Sequence, residues 1–151
     1  MKTKLIDYVD NGPIFITGHV NPDGDALGSA FALKLFLDSQ SIISDVNFDI
    51  TTKLPSNLNH LPYHLISDDL KEKYNTVFVF DCGNSSRLGK YEEVVLAAEN
   101  VVVIDHHVDP SFGDVQIIDP HAASTTQLLF RQFKDENIEF NEEMANCLLP
   151  G

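Results

Sequence analysis

The sequence predicts an α/β fold: a Rossmann-like three-layer domain with a mostly parallel sheet flanked by helices. Three observations predict it. Continuous apolar runs at residues 14–16, 77–80 and 101–104 have the pattern of strands covered on both faces, since a strand with one wet face would alternate polar with apolar residues. Segments with helical spacing stand between these runs, the alternation from which parallel sheets are built. Each run leads within a few residues into Asn, Asp, Gly or Pro, the residues that turn a chain.

In order, residues 4–11 read as a short helix ended by Asn11-Gly12-Pro13. Ile14, Phe15 and Ile16 are the first strand, and Asn21-Pro22-Asp23-Gly24-Asp25 is turn chemistry before a helix over residues 26–37. In that helix Ala26, Ala30, Leu33 and Leu37 lie beside Leu27, Phe31 and Leu35, an apolar stripe wide enough to lie flat on a sheet. Residues 44–50 alternate as a half-exposed strand, and 54–64 form a surface connection in which His60 and His64 are solvated loop residues. Val77 to Phe80 run into Asp81, with Gly83 and Asn84 turning the chain. Arg87 either reaches a phosphate or is a surface residue in an ion pair, the surface reading being favoured. A helix over 91–98 precedes the strand 101–104, which ends in Asp105-His106-His107. Residues 115–118 are a further strand. Asp119-Pro120 turns it toward Ser124-Thr125-Thr126, hydroxyls that cap a helix to about Phe133, while His121 is a polar loop residue. A last helix over 141–149 stops at Pro150-Gly151.

The 151 residues, 43% of them hydrophobic, suffice for one core and one domain. Ten basic against 23 acidic residues give a net charge of −13, which repels a nucleic-acid backbone and argues against binding long duplex nonspecifically. No stretch approaches the roughly 20 apolar residues of a membrane span, and no signal core follows Met1, so the expected location is the cytoplasm. Cys82 and Cys147 are too few and too far apart for a disulfide framework and read as reduced, half-buried thiols.

Three buried strands ending in His19/Asp23/Asp25, Asp81 and Asp105/His106/His107 direct several carboxylates into one crevice. Either Asp23 or Asp25 has a plain alternative role as a helix cap, but capping accounts for one carboxylate, not for two and a histidine. Uncompensated, such carboxylates repel, so one or two divalent cations are the expected residents. Oxygen and imidazole donors without thiolates suit Mn²⁺, with Mg²⁺, Fe²⁺, Co²⁺ or Zn²⁺ as alternatives. Asp105 either ligates or hydrogen-bonds a ring N–H and fixes its tautomer. Two ions would clamp a phosphoryl group, which makes phosphoester hydrolysis the expected chemistry. The glycines and lysine of dinucleotide and P-loop sites are missing.

The segments GHVNPDGDALGS, FDCGNSSRLG and IDHH together resemble the DHH phosphoesterase family, and most closely its nanoRNase and oligoribonuclease/pAp-phosphatase branch, from about Pro13 to Gly151. The resemblance implies that His19 and Asp23 bind a first metal, Asp25 and His106 a second, and that Asp81 bridges them. It also implies that His107 contacts the substrate phosphate and Asp105 supports its neighbours. Members typically use Mn²⁺ to hydrolyse short oligonucleotides, 3′-phosphoadenosine 5′-phosphate (pAp) or related small phosphoesters.

The family usually continues with another Asp for the second metal and a smaller C-terminal domain that grips substrate. The expectation is therefore a DHH metal-binding catalytic domain over 1–151, truncated, with the C-terminal substrate-binding domain absent and the second metal held more weakly. Sheet edges left bare by such a truncation would favour a homo-oligomer. Two rival readings are a Mn-dependent inorganic pyrophosphatase, against which Gly24 counts because those enzymes typically have Thr there, and a noncatalytic metal- or nucleotide-binding fragment.

Overall fold

The computed structural model describes residues 3–9, 12–107 and 110–148. Five strands, β1 (Ile14–Gly18), β2 (Ser44–Val46), β3 (Thr76–Phe80), β4 (Asn100–Asp105) and β5 (Val115–Ile118), form one sheet in the order β2-β1-β3-β4-β5. Every pairing is parallel. The chain leaves β1 outward to β2, then returns past β1 to β3. Strand order therefore reverses between β1 and β3, and in open α/β sheets the carboxyl-end crevice at such a reversal is where ligands bind.

The apolar runs make three layers because alternate residues face opposite sides. Ile14, Ile16, Phe78, Phe80, Val102 and Ile104 join one core cluster with α1 (Gly24–Ser39), α3 (Thr125–Asp135) and α4 (Glu142–Leu148). Phe15, Val77, Val79, Val101 and Val103 form the other with Leu88, Val95 and Tyr74, under a 3₁₀ segment, Ser85–Tyr91, and α2 (Glu92–Leu96). On that side Phe15 stacks on Tyr74, with ring centroids 5.2 Å apart.

Several element limits differ from expectation for local reasons. The expected helix over 4–11 is a single 3₁₀ turn, Leu5–Tyr8, whose Leu5 and Ile6 amides donate to the Glu136 carboxylate (2.8 Å each). Its expected end at Asn11 lies outside the described residues, as do Leu149 and the Pro150-Gly151 stop of the last helix. α1 starts at Gly24 instead of residue 26 because Asp23 is its cap. The strand expected over 44–50 ends at Val46. Past it the Asn47 amide still donates to the Ile16 carbonyl (3.1 Å), while the Asn47 side chain accepts from the Phe48 amide (2.8 Å) and donates to the Ser67 carbonyl (2.9 Å). Both cysteines are free and buried rather than half-buried. No helix among the described residues is long and apolar enough to cross a membrane.

Gly28 is where α1 meets α4. A Cβ there would run into the Cys147 carbonyl oxygen, and backbone cannot yield as a side chain can. Alanine in a helix interior ordinarily gains up to about 1 kcal/mol over glycine. Here Gly28→Ala is expected to lose about 1–3 kcal/mol through overpacking, seen as a lowered thermal midpoint; a raised midpoint would show that the two helices separate freely.

Candidate metal centre

Three parallel strands deliver the site. β1 runs out through Gly18 to His19, and the turn over 21–25 brings Asp23 and Asp25 back to the start of α1. β3 ends at Phe80, and the next residue, Asp81, takes a left-handed backbone (φ 57°) with its amide donating to the Ile104 carbonyl of β4 (3.0 Å). That conformation costs an L-residue roughly 1 kcal/mol and is tolerated best by Asn and Asp. β4 contributes Asp105 and the two histidines.

Asp81 lies at the middle. His19 Nε2 is 3.7 Å from its Oδ2, His106 Nε2 is 3.6 Å from its Oδ1, and His107 Nδ1 is 3.8 Å from the same Oδ1. Two groups of side chains have donor atoms within 4.8 Å of one another, His19/Asp23/Asp81 and Asp81/Asp105/His106/His107, and Asp81 belongs to both. Of the seven residues expected at the site, Asp25 alone falls outside these groups. Its Oδ2 is nevertheless 3.8 Å from His106 Nε2.

The rings are held in defined tautomers. His19 Nδ1 lies 2.8 Å from the Val20 carbonyl; a carbonyl only accepts, so Nδ1 carries the proton and Nε2 faces the carboxylates. His107 Nδ1 likewise donates to Asp105 Oδ1 (2.7 Å), which also accepts from the His107 amide (3.2 Å). This leaves His107 Nε2 free on a side chain 64% exposed. Of the two roles open to Asp105, orienting a ring is the one its Oδ1 fills, while its buried Oδ2 has no partner among the described residues.

The two alternative caps separate. Asp23 Oδ1 accepts from the Ala26 amide (2.9 Å) and caps α1. Asp25 instead serves a helix a hundred residues away: Oδ2 accepts from the Thr125 amide (2.9 Å) and Oδ1 from the Thr126 amide (2.8 Å), the first turn of α3. Thr125 also donates its hydroxyl to Asp81 Oδ1 (3.1 Å). Ser124 fulfils the capping expectation, accepting from the Gln127 amide. Thr125 does not; it ties two carboxylates together. The only sequence signal for it was position, on the loop after the last strand.

His60, His64 and His121 are exposed and away from the cluster, as expected. Arg87 is exposed too, but it makes no ion pair among the described residues; its carbonyl accepts from the Val20 amide (2.7 Å) and braces the β1 loop. Burial pushes the Cys82 thiol up to about 11, so it is not a thiolate near neutrality.

The crevice holds four carboxylates, with Asp105 and Asp81 only 1% and 7% exposed. Asp81 raises His19 above its ordinary 6.5; burial works against this, and the Val20 carbonyl and Asp23 reinforce it. Burial pushes Asp81 upward, but His19, Thr125 and His106 prevail and hold it below its ordinary 3.8. The crowded carboxylate oxygens, the imidazole nitrogens facing them and a donor set without thiolate match a hard or borderline divalent ion.

A sequence profile of the DHH family, N-terminal domain, matches residues 13–151. A bifunctional oligoribonuclease and PAP phosphatase of Thermus thermophilus is 32% identical over 149 residues, covering 93% of this chain and 42% of its own. A probable manganese-dependent inorganic pyrophosphatase of Streptococcus thermophilus is 24% identical over 148 residues, 91% of this chain and 46% of its own. The crystal structure of an exopolyphosphatase-related protein from Bacteroides fragilis superposes with a TM-score of 0.81 at 30% identity, over 91% of this chain and 44% of that one. The chain thus spans less than half the length of these relatives.

A raised pKa for His19 in the fold means that its pairing with Asp81 stabilises fully below about pH 6.5 and is lost as pH rises through the folded value. The lowered Asp81 gives the opposite limb, stability lost as pH falls through its folded value. In metal-free protein, the ring protons of His19 are expected to titrate above 6.5 by NMR, and Asp81→Asn to bring the midpoint back down. A wild-type midpoint at or below 6.5 would contradict this pairing.

Proposed function

The chain belongs to the DHH family, and from that premise we propose that it is a metal-dependent phosphoesterase domain hydrolysing short oligonucleotides or small nucleotide phosphoesters such as pAp at a binuclear Mn²⁺ centre. The observation that carries the reading is the position of Asp81 in both ligand groups. One carboxylate between two sets of donors is the arrangement that a pair of ions a few ångströms apart requires. In this reading His19 and Asp23 hold the first ion, Asp25 and His106 the second, and Asp81 both. When bound, the ions supply Lewis acidity that activates water and offsets the charge of a phosphoryl group.

The chain's own residues supply the rest. The Val20 carbonyl keeps His19 in the tautomer that ligates through Nε2, and Asp105 keeps His107 turned with Nε2 toward solvent, where a substrate phosphate can meet it. Thr125 positions Asp81 and Asp25 together, so that neither carboxylate swings when the ions' charge is added. Their remaining lone pairs stay available, because an ionised carboxylate accepts more bonds than these threonines donate.

The oligonucleotide and pAp branch is favoured by the names of relatives at 32% and 28% identity. The pyrophosphatase relative is more distant at 24%. Those relatives are about twice as long as this chain.

Calorimetry of Mn²⁺ on metal-stripped protein is expected to give two sites, with one lost in His106→Ala. Hydrolysis of a 5′-phosphorylated dinucleotide should fall by at least about a hundredfold in Asp81→Ala. Absence of Mn²⁺ binding would refute the metal assignment; turnover of pyrophosphate alone would refute the nucleotide reading; two bound ions without turnover would favour a binding module.

Thr125→Val removes the hydroxyl and keeps the amide. It is expected to weaken Mn²⁺ by about tenfold, as loss of an outer hydrogen bond to a ligand does, and Thr125→Ser to restore it. Equal affinity in the valine variant and wild type would deny Thr125 this positioning role.

A further inference from the structure

Beside the carboxylates lies a cavity of about 570 Å³, with the turn over 21–25 on one side and the segment 52–58 on the other. It is within the size range of small-molecule sites and far larger than a trapped water needs. Its two walls are fastened to each other through Asn21. The Asn21 side-chain oxygen accepts from the Thr51 amide (2.7 Å) and the Thr52 amide (3.1 Å), its NH₂ donates to Thr51 Oγ1 (3.0 Å), and its own amide donates to the Asp49 carbonyl (2.9 Å). Asn21 accommodates this with a left-handed backbone (φ 50°). The cleft is thus a fixed feature of the fold.

Its lining is of two kinds. Pro22, Leu54, Pro55 and Leu58 are apolar, and Lys53 is the one cation in the lining. Lys53 is exposed and has no carboxylate partner among the described residues, although Asp23 and Asp25 border the same cavity. An inorganic anion such as pyrophosphate has no use for apolar walls. A nucleoside does, since its sugar and base present apolar faces while its phosphates stay at the charged end.

We propose that this cleft receives the nucleoside portion of the substrate, with Lys53 binding a phosphate that is not cleaved. The inference rests on the phosphoesterase reading and narrows it to organic phosphoesters, nucleotides in preference to pyrophosphate. The Lys53 ammonium donates to phosphate oxygens as a point charge. Leu54 and Leu58 exclude water from one face of the sugar or base, and Asp23 and Asp25, which border the cavity, would hold the ions that face the scissile phosphoryl group.

The test is titration of the isotopically labelled chain with adenosine 5′-monophosphate and, separately, with inorganic phosphate, read by NMR. The nucleotide is expected to shift the amides of Thr52, Lys53, Leu54, Asn57 and Leu58 and of Asn21, Asp23 and Gly24, and to bind about tenfold or more tightly than phosphate. Lys53→Ala removes the cation and Asn57→Trp fills the cleft from an exposed position; each should weaken the nucleotide by about tenfold, with thermal midpoint and Mn²⁺ stoichiometry as checks that fold and metal groups persist. Nucleotide bound no better than phosphate, shifts confined to residues 105–107, or undiminished binding in both variants would overturn the proposal. Dinucleotide hydrolysis with no shift in the cleft would refute the cleft alone. Nucleotide binding in the cleft without hydrolysis would refute the catalytic reading and leave the cleft standing.

Discussion

Asp81 is almost wholly buried, leaves its strand through a left-handed turn, and is met by imidazoles from β1 and β4 and by a hydroxyl from α3. Burying a carboxylate without partners costs several kcal/mol. His19, Thr125 and His106 all favour its ionised form, and each comes from a different segment. The consequence is architectural: β1, β3, β4 and α3 must all arrive at one point with their ends in register. The parallel pairing of the three central strands achieves this, because it places all three carboxyl ends on the same edge.

Charge crowding at that edge has a second consequence. Asp25 could have been a simple cap for its own helix, but Asp23 takes that role and Asp25 reaches instead to the first two amides of α3. A carboxylate at a helix N-terminus gains from both the free N–H groups and the helix dipole. The site thus neutralises part of its own repulsion with backbone rather than with basic side chains. The chain has a net charge of −13 and ten basic residues, of which Lys53, in the lining of the adjoining cavity, has no carboxylate partner among the described residues.

The packing behind the edge is correspondingly tight. α1 carries Asp25 at its first turn and Gly28 one turn further on, where α4 presses its backbone against the helix. Thr126 touches both features, its amide on Asp25 and its methyl near Gly28. Position of the carboxylate and closure of the α1/α3/α4 layer are therefore set by the same contacts.

Periodicity and composition determined much of this protein. Unbroken apolar runs identify strands with two dry faces, since only burial on both sides permits such runs, and turn residues after them mark where His19, Asp23, Asp81 and Asp105 to His107 leave the sheet. The pairing of Asp105 with a ring was one of two roles the sequence left open, ligation being the other, and the structure chose between them for Oδ1. Tertiary structure decided what depends on distance along the chain. Nothing near Asp25 or Thr125 reveals that they meet, a hundred residues apart, and the place of Asp81 between the histidines of two other strands was expected only through the family resemblance. Strand order and register bring those atoms together, and neither is encoded in the local pattern of any one segment. The Asn21 brace is likewise a matter of distance, since its side chain accepts from the Thr51 and Thr52 amides thirty residues on.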